Sequence, residues 1–174
     1  PQRHIVKKKK FKIFFDLIEP KRKHRKIVDW IATNNSFFKS KVIKNNQIKF
    51  DEELANYGGS DQLFFQLLSK EKYVIRWNSN SIVYENHQAN REKYKWFFKR
   101  NLRYGYSGNI IDFKTYGRFV GLVIILLKII FLIIQSLIFI CIPINFNYLK
   151  SYFFLVRATG RIIEIFNYNP KKYI

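Results

Sequence analysis

The apolar positions of this chain fall into stretches of unequal length and period. Leu63, Phe64, Leu67 and Leu68 recur at helical spacing and predict a helix from Asp61 to about Lys70, with Ser60 as its N-cap. Tyr73-Val74-Ile75-Arg76-Trp77 and Ser81-Ile82-Val83-Tyr84 read as two short strands around the turn-forming Asn78-Ser79-Asn80, and a helix flanked by strands suits the edge of a mixed sheet. Residues 28–33 predict a buried strand ending at Asn34-Asn35, and 37–43 a short helix broken by Asn45-Asn46. Asp51-Glu52-Glu53 opens a further helical turn. Before these, 11–18 is a helix or strand and 23–30 a second short element, divided by Pro20.

The longest apolar stretch is 119–144, 26 residues interrupted only by Gly121, Lys128, Gln135, Ser136, Cys141 and Pro143. A bilayer needs about 20 residues, so this run is long enough to cross one. Lys128 within it costs roughly 2.5–3.5 kcal/mol in hydrocarbon, although a lysine near a helix end can snorkel. After Pro143 and Asn145-Phe146-Asn147, residues 148–166 predict an amphipathic helix. Lys150, Arg157, Arg161 and Glu164 project within about 60° of one another, while Tyr152, Phe153, Leu155, Ile162, Ile163 and Phe166 lie mostly elsewhere, the pattern of a helix lying on a membrane surface. Past Ile144 there are five basic residues against one acidic, which argues against exporting this tail if the basic first part is cytoplasmic. A re-entrant hairpin or deep interfacial helix therefore stands beside a single span.

Charge sharpens this picture. The formal net charge is +20, and it is clustered: residues 1–30 alone hold 11 Lys or Arg, with Lys7 to Lys10 and Lys21 to Lys26 as blocks. Blocks of this kind suit an anionic surface. Nucleic acid is the weaker partner, because no recognised motif accompanies the charge and the apolar run points to membrane. Residues 91–105 are aromatic and basic together, with Trp96, Arg100 and Arg103 sharing a helical face. Such a helix suits the headgroup layer; Trp96 also suits a sugar ring and Arg100 or Arg103 a phosphate. The single Cys141 excludes a disulfide, and His4, His24 and His87 lack metal-ligand spacing among themselves.

The most chemically suggestive stretch is Tyr57-Gly58-Gly59-Ser60-Asp61. Two glycines permit a sharp turn and close approach to the main chain, and they deliver Asp61 to the first turn of a helix, where free N–H groups favour an ionised carboxylate. Helix stability alone also places acidic residues there.

Ala32-Thr33-Asn34-Asn35, Lys49-Phe50-Asp51-Glu52, Gly58-Gly59-Ser60-Asp61, Trp77, Val83-Tyr84-Glu85, Arg91 and Arg100…Arg103-Tyr104-Gly105 together resemble the C-terminal part of the catalytic domain of family-2 glycosyltransferases, the inverting GT-A type. The similarity spans residues 31–105. It implies that Asp61 is the catalytic base, that Asn34 or Asn35 lies near the donor sugar, and that Gly58, Gly59, Ser60, Trp96, Arg100 and Arg103 contact substrate. Ser60 stands where the family carries Glu. The resemblance further implies a divalent metal, Mg or Mn, with His87 as a candidate ligand, and a nucleotide-binding half with an Asp-x-Asp motif ahead of residue 1, supplied by the same or a separate chain.

The resulting expectation is an α/β remnant of a GT-A domain followed by hydrophobic and amphipathic helices. A basic segment occupies 1–30, the catalytic part 31–110, and membrane-associated helices 111–174. The expected activity moves sugar from a nucleotide-sugar to a lipid-linked or polysaccharide acceptor, at a membrane and with the catalytic part on the cytoplasmic side; this chain, as a fragment without the nucleotide-binding half, is expected to be inactive by itself. The alternative is a non-catalytic basic membrane-surface binding protein that engages lipid.

Overall fold

A computed structural model describes residues 22–44, 48–55, 57–83, 91, 93–142 and 147–166. In chain order the regular elements are β1 (Ile27–Val28), α1 (Ser40–Lys44), α2 (Ser60–Lys70), β2 (Ile75–Arg76), α3 (Tyr94–Tyr116), α4 (Arg118–Cys141) and α5 (Asn147–Phe166), with short 3-10 turns at Thr33–Asn35 and Glu53–Ala55. They form two compact units, one drawn from Pro1–Asp51 and Ser60–Lys93, the other from Glu52–Gly59 and Tyr94–Ile174.

The first unit is built on α2. Its helical spacing turns Phe64, Phe65 and Leu68 into one cluster, against which Trp30, Ile31, Val42, Ile48 and Ile75 pack. Phe50 stacks on Phe64 at 4.2 Å between ring centroids, and Phe38 tilts onto the same ring at 6.2 Å. The helix ends in a double bond pattern: Tyr73 N–H donates to the Leu68 carbonyl at 3.1 Å and Lys72 N–H to Ser69 at 3.0 Å. Lys72 holds the left-handed conformation this closure requires (φ 63°), a position glycine fills most easily. Arg22 lies over the indoles of Trp77 (5.1 Å) and Trp30 (5.8 Å) and donates to the Trp30 carbonyl. Desolvation there lowers its guanidinium from the usual value, against the opposing pull of Asp29.

The expected α/β remnant is overturned. Among the described residues the sheet is one antiparallel ladder of two residues per strand, Ile27 opposite Arg76 and Val28 opposite Ile75, and helices dominate the rest. The 28–33 stretch leaves the ladder after Val28 and closes into the 3-10 turn at Thr33, while 81–83 forms no strand. β-Branched and aromatic residues favour strands only where neighbouring strands accept their hydrogen bonds, and each of these stretches finds at most one short partner.

The second unit is three helices packed lengthwise. Contacts at Phe97–Phe153, Asn101–Arg157 and Gly105–Gly160 run α3 parallel to α5. Ser136–Ser151 and the cluster of Ile125 and Ile129 with Ile165 run α4 antiparallel to both. The α3–α5 crossing depends on two glycines: a Cβ on Gly105 would lie 2.7 Å from the Gly160 Cα, and one on Gly160 would meet the Leu102 carbonyl. Backbones can approach this closely only without side chains between them. Burial in α4 is restricted to a stripe at Gly121, Ile125, Ile129, Leu132 and Ser136, leaving Phe119, Leu126, Leu127, Ile130, Phe131 and Leu137 exposed. This helix is long and apolar enough to cross a membrane; its 24 residues at 1.5 Å each extend roughly 36 Å.

Gly160→Leu is expected to force α3 and α5 apart and to destabilise the unit by about 3 kcal/mol, the upper end of the overpacking range. Thermal unfolding in detergent, followed by far-UV circular dichroism, checks this. An unchanged midpoint would mean that the helices do not touch at this crossing.

Candidate functional site

In the first unit Asp61 sits in the opening turn of α2, half-buried, with Oδ1 accepting from the Gln62 N–H at 2.8 Å. No cation among the described residues pairs with it. The helix begins at Ser60 itself, one residue before the sequence pattern suggests, so Gly59 takes the position ahead of the first turn. Asn34 and Asn35 share the 3-10 turn but differ in use. Asn35 holds residue 81, its Nδ2 donating to the Ser81 carbonyl at 3.1 Å and its Oδ1 accepting from the Ser81 hydroxyl at 3.3 Å. Asn34 is exposed.

Gly58 and Gly59 belong to the second unit, and both have positive φ, 78° and 98°. Their close approach is to α3 of the same chain. A Cβ on Gly59 would lie 2.7 Å from Ile111 Cδ1, and one on Gly58 would lie 3.5 Å from the Arg103 guanidinium. Leu54, fully buried, anchors this turn by accepting from the N–H groups of Tyr57 and Gly58. Packing within the fold thus accounts for both glycines, and the same turn brings Gly58 beside Arg103.

Trp96 and Arg100 also meet, as one end of a ladder that continues through Tyr104 and Arg157 to Asn101, the last of which the sequence pattern did not single out. Arg100 lies over the Trp96 ring (4.8 Å) and the Tyr104 ring (5.2 Å), its Nε donating to the Tyr104 hydroxyl at 2.6 Å. Arg157 of α5 lies over Tyr104 too, at 5.3 Å, and donates to Asn101 Oδ1 at 2.9 Å. Beside the start of this ladder, Tyr94, Lys95, Phe98, Leu149, Tyr152 and Phe153 line an open groove of about 340 Å³.

The larger surprise is the polar seam that joins α3, α4 and α5. Asp112 is 1 % exposed and receives Lys128 Nζ on Oδ1 at 2.6 Å and Arg161 Nη1 on Oδ2 at 2.9 Å. Asn109, fully buried, accepts from Arg161 Nη1 and donates to the Arg161 carbonyl, both at 2.8 Å. A Cβ on Gly108 would lie 2.6 Å from this guanidinium, so glycine there leaves its space. Lys128 does not snorkel to an end of α4; it turns inward to a carboxylate. Arg161 and Glu164, read from the sequence as part of an outward polar stripe, are buried against the other helices, and Tyr152, Leu155, Ile162 and Phe166 are exposed instead. The signal for this inversion is Asn109 and Asp112 inside the long α3 pattern, polar residues that a helix facing water on that side would not bury.

His87 and Glu85 lie outside the described residues. Among the described residues no group of three or more His, Cys, Asp or Glu side chains converges as metal ligands. No family model matches the chain, and no curated protein or solved structure does.

Removing the shared anion by Asp112→Ala leaves two cations facing each other in the seam. The expected cost is about 3–5 kcal/mol, the range for breaking a buried pair by deleting one partner. Ser136→Ala, which removes a neutral hydroxyl contact, should cost nearer 0.6 kcal/mol. Melting in detergent micelles separates the two. Equal effects would show that the seam carries no special charge dependence.

Proposed function

We propose that this chain is a membrane-attached glycosyltransferase polypeptide in which Asp61 is the general base. The observation that supports this is the Asp61 carboxylate at the N-terminal turn of α2, half-buried and without a cation partner among the described residues. A general base must hold its carboxylate within hydrogen-bond reach of the acceptor hydroxyl. In the reaction, the acceptor hydroxyl oxygen forms a bond to the anomeric carbon of a nucleotide-sugar as the bond to the nucleotide diphosphate breaks. The hydroxyl proton passes to Asp61 and the electron pair leaves with the diphosphate. The acceptor is a lipid-linked glycan or polysaccharide, consistent with an apolar helix fit to hold the chain at a membrane, and the catalytic side faces the cytoplasm, where the basic residues lie by the positive-inside rule.

A second reading, a non-catalytic protein that binds anionic membrane, is favoured by the exposed Lys95, Lys99 and Arg103 on α3.

Asp61→Asn preserves size but cannot take a proton at neutral pH, so transfer of labelled sugar in membranes of the producing cell should fall about 10²–10⁴-fold. The melting midpoint should barely move, because a first-turn charge contributes only about 0.3–1 kcal/mol. Near-normal transfer would leave Asp61 as a structural residue and favour the second reading. Independently, the chain should sediment with membranes and resist extraction by high salt, since apolar burial is not screened as phosphate attraction is.

A further inference from the structure

Membrane attachment through α4 leaves open how the helical unit sits in the bilayer, and the distribution of side chains around that unit decides between crossing and lying flat. Ring and hydroxyl contacts fix which residues share a level along the helices. Phe98 stacks with Tyr152 (6.4 Å), Phe97 meets Phe153 (6.1 Å), Phe154 stacks with Phe139 (5.6 Å), and Ser151 bonds Ser136 (2.6 Å). The first half of α3, the first half of α5 and the last third of α4 are therefore side by side.

At this one level the outer surfaces differ sharply. On α4, Ile133, Ile134, Leu137, Ile138 and Ile140 are exposed. On α3, Lys95, Lys99 and Arg103 are exposed, and their spacing of four residues places them along one helical face. A unit that crosses a bilayer must be apolar all round at each depth in the hydrocarbon. This unit is apolar on one flank and cationic on the other at the same depth. Upright insertion would place those three cations in hydrocarbon alongside the isoleucines, each at a steep insertion penalty. Lying flat, the same surfaces match acyl chains on one side and phosphates on the other.

We propose that the second unit is a wedge seated in one leaflet of an anionic bilayer, with α4 in the acyl layer and the Lys95, Lys99 and Arg103 face of α3 against the phosphates of that leaflet. The partner is specified by charge complementarity: apolar burial holds the wedge, and the cationic face selects anionic over zwitterionic headgroups. Trp96, Tyr104 and Tyr94 on the same helix are the ring types that settle at the interface. Arg157, whose Nε has no hydrogen-bond partner among the described residues, lies over Tyr104 and adds a second cation to the α3–α5 seam. The wedge rests on the reading that α4 is embedded in a bilayer, and it is independent of whether Asp61 is a base.

The test uses the full chain in sealed membranes, probed with an impermeant maleimide from one face at a time. Cys141, exposed at the end of α4, and a cysteine at its start, Phe119→Cys in a Cys141→Ser background, mark the two ends. The wedge expects both to react from the same face. Reaction from opposite faces overturns it in favour of a span while leaving membrane attachment intact, whereas release of the chain by salt alone overturns attachment itself. A fluorophore at Leu127→Cys in the same background should be quenched by brominated acyl chains. An unquenched probe in a chain that cross-links as a dimer would mean that a second copy, not lipid, covers α4, and would also overturn the wedge. For the cationic face, Lys95→Gln, Lys99→Gln and Arg103→Gln should each lower the preference for phosphatidylcholine–phosphatidylglycerol vesicles over phosphatidylcholine vesicles by about fivefold. These side chains are exposed, so the variants should fold. An unchanged preference in the triple variant sinks the headgroup assignment.

Discussion

The arrangement of the helical unit depends on the carboxylate of Asp112. One buried anion on α3 receives a lysine from α4 and an arginine from α5, so each helix contributes one member to a single charge cluster. An apolar seam would tolerate sliding by a turn, because leucine and isoleucine contacts are interchangeable. A carboxylate that must satisfy two cations at once has one register. Asn109 reinforces it by bonding both the side chain and the carbonyl of Arg161. Strong dependence on such a pair is a matter of geometry more than of net stabilisation, since buried ion pairs often return little beyond their desolvation cost.

That register in turn sets which surfaces face outward. With Lys128, Ser136 and Arg161 engaged in the seam, the exposed residues of α4 from Phe119 to Ile140 are all apolar, and this face is inverted relative to a water-soluble bundle. Gly105 and Gly160 make the inversion sterically possible by letting two backbones touch, and Gly121 performs a similar service against Phe113. The exposed cations of α3, Lys95, Lys99 and Arg103, lie on another flank, which gives the unit its two-sided character.

The turn at Gly58-Gly59 stands at the boundary between the two units in the chain, packed on α3 through Ile111, Ser107 and Arg103. The first unit is held by an aromatic cluster: Phe64 with Phe50 and Phe38, backed by Trp30 and Ile31. Rigid aromatic stacking suits so small a core, because rings bury large area for few rotatable bonds.

Local pattern alone located α2, the apolar run 119–144 that holds α4 and the helix that follows it, because helix burial leaves a pattern within a single segment and needs no knowledge of partners. The Gly-Gly turn and the acidic first turn were legible for the same local reason. The expected sheet was not there to be read: strand pairing joins distant segments, and residues such as Val83 or Ile31 carry strand propensity whether or not a partner exists. Nor did the sequence reveal which way the charged stripe of α5 points. Arg157, Arg161 and Glu164 share a face in the sequence in either case, and only the presence of Asn101, Asn109 and Asp112 on a neighbouring helix turns that face inward. Whether a charge meets water or a counter-charge is a property of the packed helices, so the tertiary structure decided it.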